Sequence, residues 1–130
     1  MNERTSQDSN SVIDVVRRAV STWPRTDAEK DLRSNARFSA LVSNDFDVGD
    51  LNNQITSVSL VLSAHNNETD ANVVFQDVDG YVYRASLISE ATSGWRLQSL
   101  KFQCPVCFGE GENDGRQCTM CDGSGWGVGP

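Results

Sequence analysis

Four cysteines lie close together near the C-terminus of this 130-residue chain, in the segment CPVCFGEGENDGRQCTMCDGSGWG at residues 104–127. They form two pairs, Cys104 with Cys107 and Cys118 with Cys121, and each pair opens the pattern Cys-x-x-Cys-x-Gly-x-Gly. Two residues between thiols allow a tight turn to direct both sulfurs to one point, and two facing turns provide a tetrahedral thiolate site. The spacing therefore predicts a metal site with these four cysteines as ligands and one Zn²⁺ per chain.

The glycine-rich segment 104–130 contains too little apolar surface to fold without help. Binding of a structural zinc contributes on the order of 10–16 kcal/mol to the folding of small thiolate peptides, which is ample for a segment of this size. Iron also accepts four tetrahedral thiolates, so the residue types leave iron as an alternative to zinc. A disulfide pair or a redox-active dithiol is disfavoured, because both pairs and their glycines are repeated and the cytosol is reducing.

Composition and charge exclude several classes of partner. The formal net charge is −7 and the basic residues are scattered, so the chain lacks the basic stripe that nucleic-acid binding requires. No apolar run approaches the roughly 20 residues of a membrane-spanning helix, and the N-terminus lacks the apolar core of a signal peptide. We therefore expect a cytoplasmic protein that binds neither nucleic acid nor membrane.

The N-terminal residues predict a tail and an amphipathic helix. Residues 1–10 are polar after Met1 and predict a disordered tail. From Ser11, a candidate cap, apolar side chains recur at helical spacing until Pro24 ends the helix. The predicted apolar face consists of Val12, Val15, Val16, Ala19, Val20 and Trp23.

A second helix and a loop are predicted before the strands begin. The sequence TDAE at residues 26–29 matches a capping box and predicts a helix from Asp27 that carries Leu32, Ala36 and Leu41. Residues 43–53 are rich in Asn, Asp, Ser and Gly and predict a loop.

From residue 54 onward the apolar side chains alternate, which predicts four strands joined by the turns HNNETD, DVDG and EATSG. In the last strand the apolar phase slips, which predicts a β-bulge near Gln98 and Ser99. The four strands form an antiparallel meander with one apolar face, which the two helices cover. That face is predicted to include Val58, Leu60, Leu62, Ala64, Tyr81, Tyr83, Ala85 and Leu87.

The predicted fold class is α+β, with two N-terminal helices packed on a four-stranded antiparallel meander and a small C-terminal zinc-knuckle module. Residues 11–103 form the α+β domain, and residues 104–130 form what we call the cysteine module. The order of helices and curled sheet loosely resembles the cystatin-like cone shared with nuclear transport factor. That resemblance implies a space between helix and sheet in which related proteins hold a ligand or an active site.

The paired repeats CPVCFGEG and CTMCDGSG are similar to the cysteine-rich zinc domain of DnaJ chaperones. That domain has four repeats and two zincs, whereas the two repeats here supply ligands for one. The resemblance implies that Cys104, Cys107, Cys118 and Cys121 bind the zinc and that the module contacts other proteins. The His-Pro-Asp signature of J-domains is missing, because the single histidine, His65, precedes two asparagines.

Other candidate residues favour structural roles. His65 is expected to be a solvated residue at a strand end, and Asp77 with Asp79 fits a hairpin turn better than a carboxylate pair. The acidic segment 45–50 lacks the ligand pattern of an EF-hand. Phe108 and Trp126 either cover the metal and dock the module on the sheet or form an aromatic surface for partners, and the sequence leaves both open.

Two functions are compatible with these residues. The first is a noncatalytic zinc-binding protein whose module binds another protein or an unfolded segment, as a chaperone accessory or assembly factor. The acidity of the module predicts a partner that is basic or apolar. The second is a ligand-binding or enzymatic cone-shaped domain in which the zinc module is purely structural. No catalytic residue is assigned, because the sequence shows no clustered His, Asp and Glu set.

Overall fold

The computed structural model of the chain describes residues 2–90 and 94–127. Its helical elements are α1, Asn2–Ser21, α2, Ala36–Ser39, and a 3₁₀ helix, Val48–Asn52. Four strands follow: β1, Leu60–Asn66, β2, Asp70–Gln76, β3, Val82–Glu90, and β4, Gly94–Gln103. The cysteine module adds three strands of two residues: β5, Glu112–Asn113, β6, Arg116–Gln117, and β7, Trp126–Gly127. The predicted α+β class with an antiparallel sheet is confirmed.

Helix α1 packs on the sheet through the face that its apolar spacing predicts. The helix extends back to Asn2, in place of the disordered tail predicted over residues 1–10 and the cap predicted at Ser11. Formation of the first turn is the costly step of helix formation. Once the apolar face has docked, each further residue adds a backbone hydrogen bond without requiring burial of its side chain. No helix in the described part of the chain is both long and apolar enough to cross a membrane. The buried residues of the face are Val12, Val16, Ala19 and Val20, with Trp23 just beyond the helix end.

The second predicted helix is largely replaced by turns. The capping box does form, since the Thr26 N–H donates to Glu29 Oε1 at 3.1 Å and the Glu29 N–H donates to Thr26 Oγ1 at 3.2 Å. The side chains of Ser34 and Asn35 then donate to carbonyls of preceding residues and compete with helical hydrogen bonds. Only the four residues of α2 are helical, and they bury Phe38.

The four long strands form the predicted antiparallel meander, and β7 extends it in the order β1-β2-β3-β4-β7. The predicted bulge in β4 is confirmed. Leu97 pairs with Leu87 and Ser99 pairs with Ser86, so Gln98 is the additional residue. The turn predicted over EATSG includes residues 91–93, which lie outside the described residues.

The predicted inward face of β1 is wrong in its first half. The register shifts between Val61 and Ser63, so Val61 and Ala64 pair with buried residues of β2 and pack against the core. Leu60 and Leu62 are 53% and 49% exposed instead. A bulge changes which side chains share a face, and the apolar sequence of β1 gives no sign of it.

Side chains fill the space between α1 and the sheet. Trp23 packs edge-to-face on Phe38 at 5.4 Å between ring centroids, and its Nε1 donates to the Asn53 carbonyl at 2.8 Å. Beside this core lies an open groove of about 510 Å³. We call it the helix-side groove, and its walls include Pro24, Arg25, Lys30, Tyr81, Tyr83 and Phe102.

The segment predicted as a loop over residues 43–53 covers the outer edge of β4. The Ser43 N–H donates to the Leu97 carbonyl at 2.9 Å. The carboxylate of Asp50 is fully buried and accepts from the Leu100 N–H at 2.9 Å and from Lys101 Nζ at 2.7 Å. Burial raises the pKa of Asp50, although the two hydrogen bonds oppose that rise.

Candidate metal centre

The cysteine module begins where β4 ends. β4 ends at Gln103, and Cys104 is the next residue. The chain returns to the same strand at the far end of the module, because β7 pairs Gly127 with Phe102 and Trp126 with Gln103. Both ends of the module are therefore joined to the sheet, one covalently and one by strand pairing.

The four cysteine sulfurs converge on one point. The Sγ atoms of Cys104, Cys107, Cys118 and Cys121 all lie within 4.8 Å of one another. The Cys104–Cys118 sulfurs are 3.8 Å apart and the Cys107–Cys121 sulfurs are 3.6 Å apart. A tetrahedral ion with metal–sulfur bonds of about 2.3 Å places its sulfurs about 3.8 Å apart. All four thiols are free, and three of them are buried, so the cluster can bind a metal ion.

Backbone N–H groups point at two of the sulfurs. The Gly111 N–H donates to Cys107 Sγ at 3.3 Å, and the Gly125 N–H donates to Cys121 Sγ at 3.1 Å. A hydrogen bond to a sulfur stabilises its ionised form, which is the form that binds a metal. In both repeats, the last glycine thus donates a hydrogen bond to the second cysteine of the same repeat.

The thiols differ in their readiness to ionise. Burial opposes ionisation of Cys121, but the hydrogen bond from Gly125 and those from neighbouring thiols lower its pKa to about 6. Backbone hydrogen bonds lower the pKa of Cys104 as well. Burial instead raises the pKa of Cys118 to about 11. A cation bound among the sulfurs would favour the thiolate form of every ligand.

The two halves of the module repeat each other's hydrogen bonds. The Cys118 N–H donates to the Gly111 carbonyl at 2.9 Å, and the Cys104 N–H donates to the Gly125 carbonyl at 2.8 Å. The first cysteine of each repeat thus donates a backbone hydrogen bond to the last glycine of the other repeat. Strand β6 leads into the second repeat and pairs with β5, just as β4 leads into the first repeat and pairs with β7.

Two glycines bring the halves into backbone contact. A Cβ on Gly111 would lie 2.3 Å from the Gly123 carbonyl oxygen, and a Cβ on Gly125 would lie 2.4 Å from the Gly109 carbonyl oxygen. Both positions also have a positive φ, of 80° and 78°. These glycines are therefore needed because no side chain fits between the two turns.

Two glutamines that were not among the predicted site residues take part in the site. The Gln103 side chain donates to the Phe108 carbonyl at 3.1 Å, and the Gln117 side chain donates to the Asp122 carbonyl at 2.7 Å. Phe108 and Asp122 both have positive φ, of 54° and 53°, directly after the second cysteine of each repeat. The signal was present, since a glutamine precedes the first cysteine of both repeats.

The two aromatic residues of the module have different surroundings. Trp126 lies in β7, and the Arg84 guanidinium lies 4.7 Å from its ring centroid. A Cβ on Gly109 would lie 3.0 Å from the Trp126 ring. Phe108 is 70% exposed. Trp126 therefore docks the module on the sheet, while Phe108 belongs to its surface.

The remaining candidates lie away from the sulfurs. His65 is exposed in β1, and Asp77 Oδ1 accepts the N–H groups of Asp79 and Tyr81 in the turn between β2 and β3. Among the side chains that the structure describes, at residues 11–90 and 94–127, the cysteine cluster is the one group of three or more His, Cys, Asp or Glu residues placed to hold a metal. Comparisons of the chain with protein-family models, with curated proteins and with solved structures found no match.

Proposed function

We propose that the chain is a noncatalytic zinc-binding protein whose cysteine module binds another protein. The observation that carries the proposal is the convergence of four sulfurs within 4.8 Å of one another in a module with exposed apolar side chains. Zinc is the preferred ion because four thiolates suit its closed structural sites, and one cluster holds one ion per chain. Iron is the alternative that the same ligands accept.

Zinc would hold together a module with little core of its own. Cys104, Cys107, Cys118 and Cys121 form the inner apolar cluster of the module, separate from the core under α1. Four ligand bonds from two turns fix the positions of those turns relative to each other. The metal's contribution is therefore structural, and the surface that it holds in place does the binding.

The exposed side chains of the module indicate the chemistry of its partner. Met120 is 68% exposed, and Val106 and Phe108 are also exposed. Four carboxylates and four thiolates, against Arg116 and a divalent ion, give the zinc-loaded module a charge of −5. A basic or apolar protein segment is the complementary partner. The resemblance to the DnaJ zinc domain makes a chaperone accessory or an assembly factor the corresponding cellular role.

A comparison of the zinc-loaded protein with the double variant Cys118→Ser/Cys121→Ser tests this function. Thr119→Ala is the matched control, because it changes an exposed residue of the same turn and keeps all four thiols. Zinc content is measured on each protein, and partners captured from a cell extract are identified by mass spectrometry. We expect the wild type and Thr119→Ala to capture the same partners and the double variant to lose them. Equal capture by the double variant would refute the interaction role of the module.

The helix-side groove favours the alternative function of a small-ligand binder. It has the size of small-molecule sites, and Arg25 and Tyr83 contribute to its lining. Burial raises the pKa of Tyr83 from 10 to about 12, so its hydroxyl stays protonated even in alkaline solution. Screening of metabolites by thermal shift distinguishes this alternative. The screen compares the wild type with Tyr83→Phe, which lacks the tyrosine hydroxyl of the groove. A ligand that stabilises the wild type and the double cysteine variant equally would favour it.

A further inference from the structure

A second groove, of about 550 Å³, lies between the sheet end and the cysteine module. We call it the module-side groove. Tyr81 and Phe102 form its wall on the sheet, and Pro105, Met120 and Trp126 form its wall on the module. Tyr81 packs edge-to-face on Phe102 at 5.7 Å between ring centroids. Most of the groove surface is therefore apolar, and part of it belongs to the flexible thioether side chain of Met120.

The module-side groove continues in two directions. Tyr81 and Phe102 also line the helix-side groove, so the two grooves share a wall. At the module end, Asp122 borders both the module-side groove and an adjoining hollow of about 360 Å³ that Glu110 and Glu112 also line. Three acidic residues therefore lie at or beside the module end of this apolar groove.

We propose that the module-side groove receives an extended segment of a partner protein in which an apolar side chain is followed by lysine or arginine. The apolar side chain lies between Tyr81 and Met120, and the cation lies over Asp122 toward Glu110 and Glu112. The proposal rests on the proposed function, because half of the groove exists only when the module is folded. It identifies the chemistry of the partner and the surface that binds it.

An extended peptide fits this surface better than a compact ligand. The groove is open and shares Tyr81 and Phe102 with the helix-side groove, so it accommodates a chain that is longer than one side chain. Aromatic rings on one wall and methionine on the other provide anchors for apolar groups. The module charge of −5 attracts a cationic segment and repels an acidic one. The apolar anchor and the acidic hollow therefore select for two different properties of the same segment.

Selection from a random library of ten-residue peptides on the zinc-loaded protein tests the proposal. We expect enriched peptides to carry an apolar residue next to lysine or arginine. One enriched peptide is then synthesised, and its dissociation constant is measured by fluorescence anisotropy. Met120→Asp should weaken its binding at least tenfold, and Asp122→Asn should weaken it about threefold and reduce its dependence on salt. Asparagine is the appropriate replacement at position 122 because it tolerates a positive φ.

The control variant is Thr119→Asp, which adds the same charge at an exposed residue next to Met120 that does not line the groove. We expect it to change binding less than twofold. Enrichment of acidic peptides, no enrichment over a protein-free surface, or loss of binding with Thr119→Asp but not with Met120→Asp would overturn the groove proposal. The last result would leave the proposed function intact. Equal binding to Cys118→Ser/Cys121→Ser would instead contradict the proposed function itself.

Discussion

Replacement of Gly111 by alanine tests two reasons why the module needs glycine, namely a positive φ and a lack of space for a side chain. Its φ of 80° strains any L-residue, and its added Cβ would lie 2.3 Å from the Gly123 carbonyl oxygen in the other half of the module. Gly115 has a similar φ of 76°, but a Cβ there meets nothing within 4 Å. Gly115→Ala is therefore a matched control that keeps the strain and omits the collision.

The expected magnitudes follow from these two contributions. A left-handed conformation costs an L-residue roughly 1–2 kcal/mol, which applies to both variants. Overpacking adds about 1–3 kcal/mol at Gly111 alone, because the atom that it meets is backbone and cannot rotate away. Gly111→Ala should thus lose about 2–5 kcal/mol of zinc-coupled folding energy. Since about 1.4 kcal/mol is tenfold in affinity, zinc should bind roughly 30-fold more weakly or worse.

Competition with a chromophoric chelator measures the zinc affinity of both variants and of the wild type. Gly115→Ala should lose about tenfold, and Gly111→Ala should lose clearly more. Gly125→Ala should behave like Gly111→Ala, because its Cβ would lie 2.4 Å from the Gly109 carbonyl oxygen. Equal losses for Gly111→Ala and Gly115→Ala would show that the two halves of the module are not in the backbone contact described here.

Three further predictions concern metal, core and pH. Cys118→Ser/Cys121→Ser should lose the amide resonances of the folded module while the domain stays folded. The unfolding free energy of the domain should fall by about 1–3 kcal/mol, because β7 and Trp126 detach from the sheet. An unfolded domain would contradict this prediction. Asp50→Ala should destabilise the domain by about 3 kcal/mol in denaturant titrations, because it leaves the buried Leu100 N–H without its acceptor. Asp47→Ala, at an exposed carboxylate, should cost less than about 1 kcal/mol. Equal costs would refute the distinction between the buried and the exposed carboxylate. Zinc affinity should fall as the pH falls, because the ligands bind as thiolates. Because the pKa of Cys118 is about 11, calorimetry of zinc binding at pH 7.5 should detect release of the Cys118 proton. Because the pKa of Cys121 is about 6, zinc affinity should fall more steeply below about pH 6. A zinc affinity that does not change with pH would exclude thiolate ligation.

The features that the sequence predicts correctly are encoded locally. The buried face of α1 follows from a spacing of three and four residues, and the bulge at Gln98 shows as a phase slip in apolar residues. The cysteine cluster follows from two short spacings and their glycines. The repeat even includes Gln103 and Gln117, which extend the pattern by one residue and could have been read from the sequence.

The features that the sequence does not predict depend on distant partners. The exposure of Leu60 and Leu62 results from how β1 pairs with β2, and no residue of β1 marks that register. The helix expected after the capping box gives way to turns in which Ser34 and Asn35 bond to nearby carbonyls. The ion pair of the buried Asp50 with the partly exposed Lys101 joins segments 51 residues apart, so the acidic loop alone gave no indication of it.

X-ray absorption at the zinc edge of the purified, reduced protein tests whether the four thiolates bind zinc. It reports the ligand atoms and their distances without requiring a known partner, and metal analysis of the same sample gives the stoichiometry. We expect one zinc per chain, bound by four sulfurs at about 2.3 Å. Nitrogen or oxygen in the ligand shell, or a metal-free protein with Cys104 joined to Cys107 by a disulfide, would contradict the account.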